Sequence, residues 1–189
     1  MDIHEIQLGC RTYRRFLQDP VPEDILRYAL ECARIASSAS NKQPLCYYAV
    51  SSPENVEKMH TLVKFAGALP PEIGTPRKGE QPTAYIIVCE NGQPGAADVD
   101  AGIATHSIVT ALYEKGFGSC IMGNILRKEI KELLGVPDEL TLRLAIAVGR
   151  PGCTSTLVDM KDGEVKYWVD DDRNYYVPKR KFEDIVKFM

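Results

Sequence analysis

The stretch TAYIIVCE, residues 83–90, decides the class of this molecule. Ile86, Ile87 and Val88 form a continuous apolar run with no polar alternate position, which predicts a strand buried inside a sheet. Working outward, LCYYAV (45–50) and LTLRLAIAVGRP (140–151) predict further strands, and GFGSCIMGN (116–124) a glycine-rich turn running into a short one. Helical patterns separate them. An opening helix starts at Asp2, a good N-cap, with Ile3, Ile6 and Gln7 or Cys10 along one side. Pro22, Glu23 and Asp24 suit the first turn of a second helix, whose stripe is Leu26, Ala29, Leu30 and Ala33. Ser52-Pro53 starts a third, with Val56, Met59, Leu62 and Val63 inward. Residues 98–115 predict a long helix that is small or apolar nearly all round, and hence central or packed at a subunit interface. Another helix covers about 127–134, stopped by Gly135 with Pro137 beyond.

The tail EVKYWVDDDRNYYVPKR (164–180) reads as two strands around an acidic, solvated turn, followed by a helix or tail. GALPPEIGTPRKGEQP (67–82) is a loop rich in proline and glycine, long enough to serve as a lid or binding loop. No repeat or linker divides the 189 residues, so a single domain over 1–189 is expected, of class α+β or α/β with a mixed sheet.

Composition narrows the partners. A net charge of −3 offers nothing to nucleic acid or to an anionic membrane, both of which reward a basic surface. No apolar run approaches the ~20 residues of a membrane span, and the opening residues lack the basic region of a signal peptide. Six scattered cysteines show no metal-ligand spacing; Cys32, Cys89 and Cys120 read as buried free thiols, which points to a cytoplasmic setting. The three histidines fall singly in helices and are not placed as metal ligands, His60 and His106 reading as surface or packing residues. Hydrolase elbow, P-loop and calcium-loop motifs are absent.

Four stretches concentrate groups able to do chemistry. CRTYRRF (10–16) places Arg11, Thr12, Arg14 and Arg15 at a helix exit, either as a solvated basic cluster or as a phosphate clamp in which Arg11 and Arg14 point the same way. SSASNKQP (37–44) carries Ser37, Ser38, Asn41 and Gln43, either capping one another or presenting amides to a ligand with mixed C=O and N–H groups. Asn41 and Gln43, two apart on entry to a strand, can face one side. GFGSCIMGN permits close approach of backbone near Gly123, or makes a tight turn. VPKRK (177–181) is a second basic cluster, a surface tail or half of an anion clamp.

Taken in order, these stretches resemble the FMN-dependent nitroreductase family. The correspondences are Arg11 to Phe16, the SSASNKQP loop, Asp100-Ala101-Gly102-Ile103-Ala104 in the long helix, GFGSCIMGN, Gly149-Arg150-Pro151, and the closing Pro178-Lys179-Arg180. The resemblance implies a central, mixed but mostly antiparallel sheet flanked by helices, in a domain-swapped homodimer with FMN at the interface. It implies that Arg11, Thr12 and Arg14 hold the phosphate and ribityl region, helped by Lys179 or Arg180. Ser37, Ser38, Asn41 and Gln43 would contact the flavin from the partner subunit, and Met122 and Gly123 would supply backbone near N5 and O4. The implied chemistry passes hydride from NADH or NADPH through flavin N5 to an electron-poor small-molecule acceptor, such as a nitro compound or quinone. Arg14 is the candidate for stabilising the reduced flavin, and no metal is implied. Tryptophans usual in the family at Leu45 and Ile121 are missing, and Asn124 replaces a glycine. Dehalogenation or flavin breakdown on the same scaffold, and a non-enzymatic nucleotide-binding domain, are the competing readings.

Overall fold

The computed structural model describes residues 1–92 and 97–189. Its elements in chain order are α1 (Ile3–Gly9), β1 (Phe16–Leu17), α2 (Glu23–Arg34), β2 (Leu45–Val50), α3 (Pro53–Thr61), α4 (Pro71–Gly74), β3 (Ala84–Glu90), α5 (Ala97–Glu114), β4 (Gly118–Met122), α6 (Arg127–Leu134), β5 (Thr141–Pro151), β6 (Ser155–Asp159), β7 (Trp168–Val169), β8 (Tyr175–Lys179) and α7 (Phe182–Ile185). A 3₁₀ turn, Ala39–Asn41, lies between α2 and β2.

Local chemistry sets most helix ends. Asp2 and Glu5 exchange side-chain-to-backbone bonds of 2.8 and 2.9 Å in a reciprocal capping box. Pro22 is itself the N-cap of α2, one step earlier than the first-turn placement expected from sequence. Gly135 ends α6 at φ 64°, a left-handed cap that glycine adopts without the usual Cβ penalty.

The sheet runs β2–β3–β5, and the far side of β5 is shared by β4 and β1. All four strand pairings are antiparallel, so the mixed character expected for this sheet is confined to an isolated parallel bridge between Thr12 and Ser119. β3 is buried along its whole length because helices cover both faces. Tyr85, Ile87 and Cys89 face one core with Val56 and Met59 of α3 and Ile130 of α6. Ala84, Ile86 and Val88 face the other, with Leu26 and Ala29 of α2 and Ala104 and Ile108 of α5. Burying an aliphatic chain of this size stabilises by about 1.5–3 kcal/mol, so β3 and its two neighbours hold the layers together.

A second, three-stranded sheet has the order β6–β8–β7. The expected hairpin is present as β7 and β8, and β6 adds to it in parallel, a strand the sequence reading lacked. Its turn is also more than solvated acid. Asp170 accepts from the Asn174 N–H at 2.8 Å and from the Tyr176 hydroxyl at 3.2 Å. Cys89 and Cys120 are buried as expected, whereas Cys32 is only half-buried; all six thiols are free. Among the described residues no helix is long and apolar enough to cross a membrane, and no cluster of acidic residues, histidines and cysteines could hold a metal.

Candidate active site

The segment after α1 is laid along β4 by the Thr12–Ser119 bridge and by the Tyr13 N–H, which donates to the Ser119 carbonyl at 2.8 Å. That placement opens a cleft of about 230 Å³ lined by Cys10, Arg11, Thr12, His106, Val109, Ser119 and Ile121. Arg11 donates from Nη2 to the Gln7 carbonyl at 2.6 Å, which fixes the side chain along α1, while its Nε is buried with no partner. Gln7 in turn meets His106, Nε2 to Nε2, at 3.0 Å. The cleft thus carries a cation with an unused donor, a hydroxyl from Thr12, a buried Ser119 and an imidazole, against apolar Val109 and Ile121. Such a set suits an anionic group joined to a flat apolar one. Burial pushes the Cys10 thiol up against the opposing charge of Arg11, so it stays protonated beside the cleft.

Arg14 does not join Arg11. Its guanidinium lies 4.7 Å from the Tyr167 ring centre and 5.1 Å from that of Tyr175, and its Nε too is buried without a partner. Between them Tyr13 turns into the core, where its ring packs on Gly118; a Cβ there would sit 2.8 Å from that ring. Arg15 donates to Glu80 and to the Asp172 carbonyl. The expectation that Arg11 and Arg14 act side by side is therefore corrected: Arg11 faces the cleft and Arg14 clasps the second sheet.

The polar loop builds a different cleft. Ser37, Ser38 and Gln43 line a cavity of about 100 Å³ with Tyr47 and Asp100. Asp100, in the first turn of α5 and 3% exposed, accepts from Ser38 Oγ at 2.6 Å and from the Ala39 N–H at 2.9 Å. Those two donors hold its carboxyl below the usual range, the Ser38 hydroxyl contributing most. Ser38 Oγ also accepts from the Gln43 N–H at 2.9 Å. Ser40, Asn41 and Gln43 have φ of 51°, 54° and 48°, a left-handed conformation that costs a non-glycine residue about 1–2 kcal/mol each. Asn41 and Gln43 consequently do not alternate along an extended entry to β2; Gln43 lines the cavity and Asn41 is exposed outside it.

Met122 is buried in the core and Gly123 is exposed immediately beyond β4. Among the described residues a Cβ on Gly123 would meet only Leu144 Cδ2, at 3.9 Å, so none of them requires glycine there. Lys179 ends β8 and Arg180 follows it, both exposed; Arg180 donates to the Asp184 carbonyl, and neither lines the Arg11 cleft. Three residues missed from sequence belong to these clefts. His106 lies on the small-residue face of α5 that also carries Gly102 and Ile103, a spacing that could have flagged it. Ser119 and Asp100 stand inside quoted motifs, but only the bridge to Thr12 and the bond from Ser38 show what they touch.

The Nitroreductase family model matches residues 9–150, which span both clefts and all of the five-stranded sheet but the last residue of β5. The chain belongs to the nitroreductase family. The chain is also similar to the following proteins. A protein of Archaeoglobus fulgidus, provisionally named NADH dehydrogenase/NAD(P)H nitroreductase, is 26% identical over 173 residues, 87% of this chain and 88% of that one. An iodotyrosine deiodinase of Thermotoga neapolitana is 26% identical over 79% of this chain and 88% of its own. The solved NADPH:FMN oxidoreductase of Vibrio harveyi, in complex with NAD+, superposes with a TM-score of 0.65 at 20% identity, over 86% of this chain and 74% of that one. At that identity the last likeness speaks to the nitroreductase fold.

Proposed function

We propose that this member of the nitroreductase family is an FMN-dependent oxidoreductase that uses NADH or NADPH to reduce small electron-poor acceptors. The observation that carries the reading is the cleft itself. It joins a fixed guanidinium with an unpaired buried donor to a hydroxyl and an apolar wall. Those residues fit FMN, whose phosphate matches Arg11 and Thr12 and whose ring matches Ile121 and the open backbone at Gly123. When bound, FMN would supply the two-electron carrier that no side chain here provides. Arg11 anchors the phosphate, His106 and Ser119 add polar contacts around it, and Gly123 leaves backbone accessible beside the ring. Arg14 acts here by holding the second sheet in place, and not on the flavin.

The two half-sites lie in clefts with no lining residue in common. A homodimer resolves this, the Ser37, Ser38, Asn41 and Gln43 loop of one chain completing the Arg11 cleft of the other. Support comes from the outer face of α5, where Val99 and Ile103 are exposed and Gly102 has open space where a Cβ would lie. Glycine inside a helix costs about 1 kcal/mol relative to alanine, and close packing of a second chain gives it a reason. In this reading Lys179 and Arg180, which do not line the Arg11 cleft of their own chain, would add charge near the phosphate in that assembly.

The test is anaerobic addition of NADH, then NADPH, to the FMN-loaded protein, followed by a nitroarene or quinone. Bleaching of the flavin by a nicotinamide and its recovery with acceptor is the expected result; a flavin that stays oxidised with both would overturn the reading. The Thermotoga relative favours one second reading, reductive loss of iodide from an iodinated phenol. Iodide release from iodotyrosine faster than nitroarene reduction would select it.

A further inference from the structure

We propose that Asp100 is the positioning residue that holds the 38–43 loop in its flavin-contacting shape; this rests on the FMN reading above. Asp100 is a buried carboxylate in the first turn of an 18-residue helix, and no ion pair reaches it among the described residues. Its charge is satisfied instead by two donors from one short loop, the Ser38 hydroxyl and the Ala39 amide. The same Ser38 oxygen then accepts the Gln43 amide, so a single carboxylate governs both ends of the turn. The turn between them contains three non-glycine residues in the left-handed region. Such a conformation is unfavourable in isolation and persists only where its surroundings over-determine it. The Asp100–Ser38–Gln43 chain is that determinant, and Gln43, whose Nε2 donates to the Asn41 carbonyl at 3.3 Å, is the residue it brings to the cavity wall. Asp100 touches no ligand in this account. Its effect passes through Ser38, and it links the loop to the helix whose outer face is placed at the dimer interface.

The experiment is a graded series, Asp100→Asn and Asp100→Ala, with Ser38→Ala and the Ser38→Ala/Asp100→Ala double variant. FMN affinity is read by quenching of flavin fluorescence, and amide hydrogen exchange is read residue by residue. Loss of a charge-assisted bond predicts about tenfold weaker FMN binding for Asp100→Ala, with Asp100→Asn intermediate because one carbonyl oxygen remains. The double variant is expected to bind no worse than Asp100→Ala alone, since both changes break the same chain. Faster exchange confined to Ala39 and Gln43 is the expected structural signature. Unchanged FMN affinity in Asp100→Ala, or penalties that simply add, would overturn the proposal. So would exchange that accelerates evenly across β3 and α5, which would assign Asp100 to general stability. If the unaltered chain itself retains no FMN, the flavin reading fails separately. Exchange at Ala39 and Gln43 then decides the clasp alone, and no acceleration in Asp100→Ala would sink it.

Discussion

Glu80 and Arg173 lie 93 residues apart in sequence and meet at 2.7 Å across the junction between the long loop and the second sheet. The other Glu80 oxygen takes Arg15 at 2.7 Å, and Arg173 also donates to the carbonyls of Ile73 and Thr75. Residues 67–82, expected as a lid, are thus pinned at the Glu80 end and contain a helical turn, α4, of their own.

Replacing Glu80 with Gln removes charge from both pairs, whose side chains are all less than a quarter exposed. Burial raises the Glu80 pKa, but the Arg15 bond, the Arg77 amide and the two guanidinium charges outweigh it, and the net shift is downward. A carboxyl with a lowered folded pKa contributes stability above its unfolded value and loses it as pH falls through the folded one. Glu80→Gln is therefore expected to cost about 2 kcal/mol near neutral pH, with the gap closing below about pH 4. Thermal melts of both proteins across pH check this.

Arg11→Ala removes the one guanidinium in the cleft. FMN binding should weaken by about 10- to 100-fold, the range for a charge-assisted bond to phosphate. Riboflavin, which lacks the phosphate, should bind the variant and the parent alike. Equal losses for both ligands would place Arg11 elsewhere than at the phosphate.

Gly118 and Gly123 separate packing from ligand contact. Alanine at 118 would press on the Tyr13 ring and is expected to cost about 1–3 kcal/mol in stability. Alanine at 123 meets nothing closer than 3.9 Å, so its melting temperature should match the parent while flavin affinity falls. Melting curves and flavin titrations of the two variants distinguish the roles.

Arg14→Ala should loosen the second sheet by removing the cation between Tyr167 and Tyr175, at a cost of about 1–2 kcal/mol. Proteolysis is expected to shift to residues 155–179. A folded variant with an intact second sheet and no turnover would return Arg14 to the chemistry.

The layers were legible because their signals are local and strong. TAYIIVCE can only be buried, Ser52-Pro53 opens α3 and Gly135 closes α6 where the pattern places them. β1 and β6 were not, because both owe their existence to partners distant in sequence, β5 for the one and β8 for the other. Arg11 and Thr12 were found by motif and do share a cleft. The direction of Arg14 was hidden, since it is set by two tyrosines from the far end of the chain. Backbone conformation hid the loop: nothing in the order Ser-Asn-Lys-Gln announces three positive φ angles, which depend on Asp100 of a helix not adjacent in sequence.

The central claim is tested most directly by the visible absorbance spectrum of the purified protein, incubated with FMN and then desalted. One bound FMN per chain, with its bands displaced from those of free flavin, is the predicted result. A folded chain that emerges colourless would contradict it and leave the Arg11 cleft to some other anion.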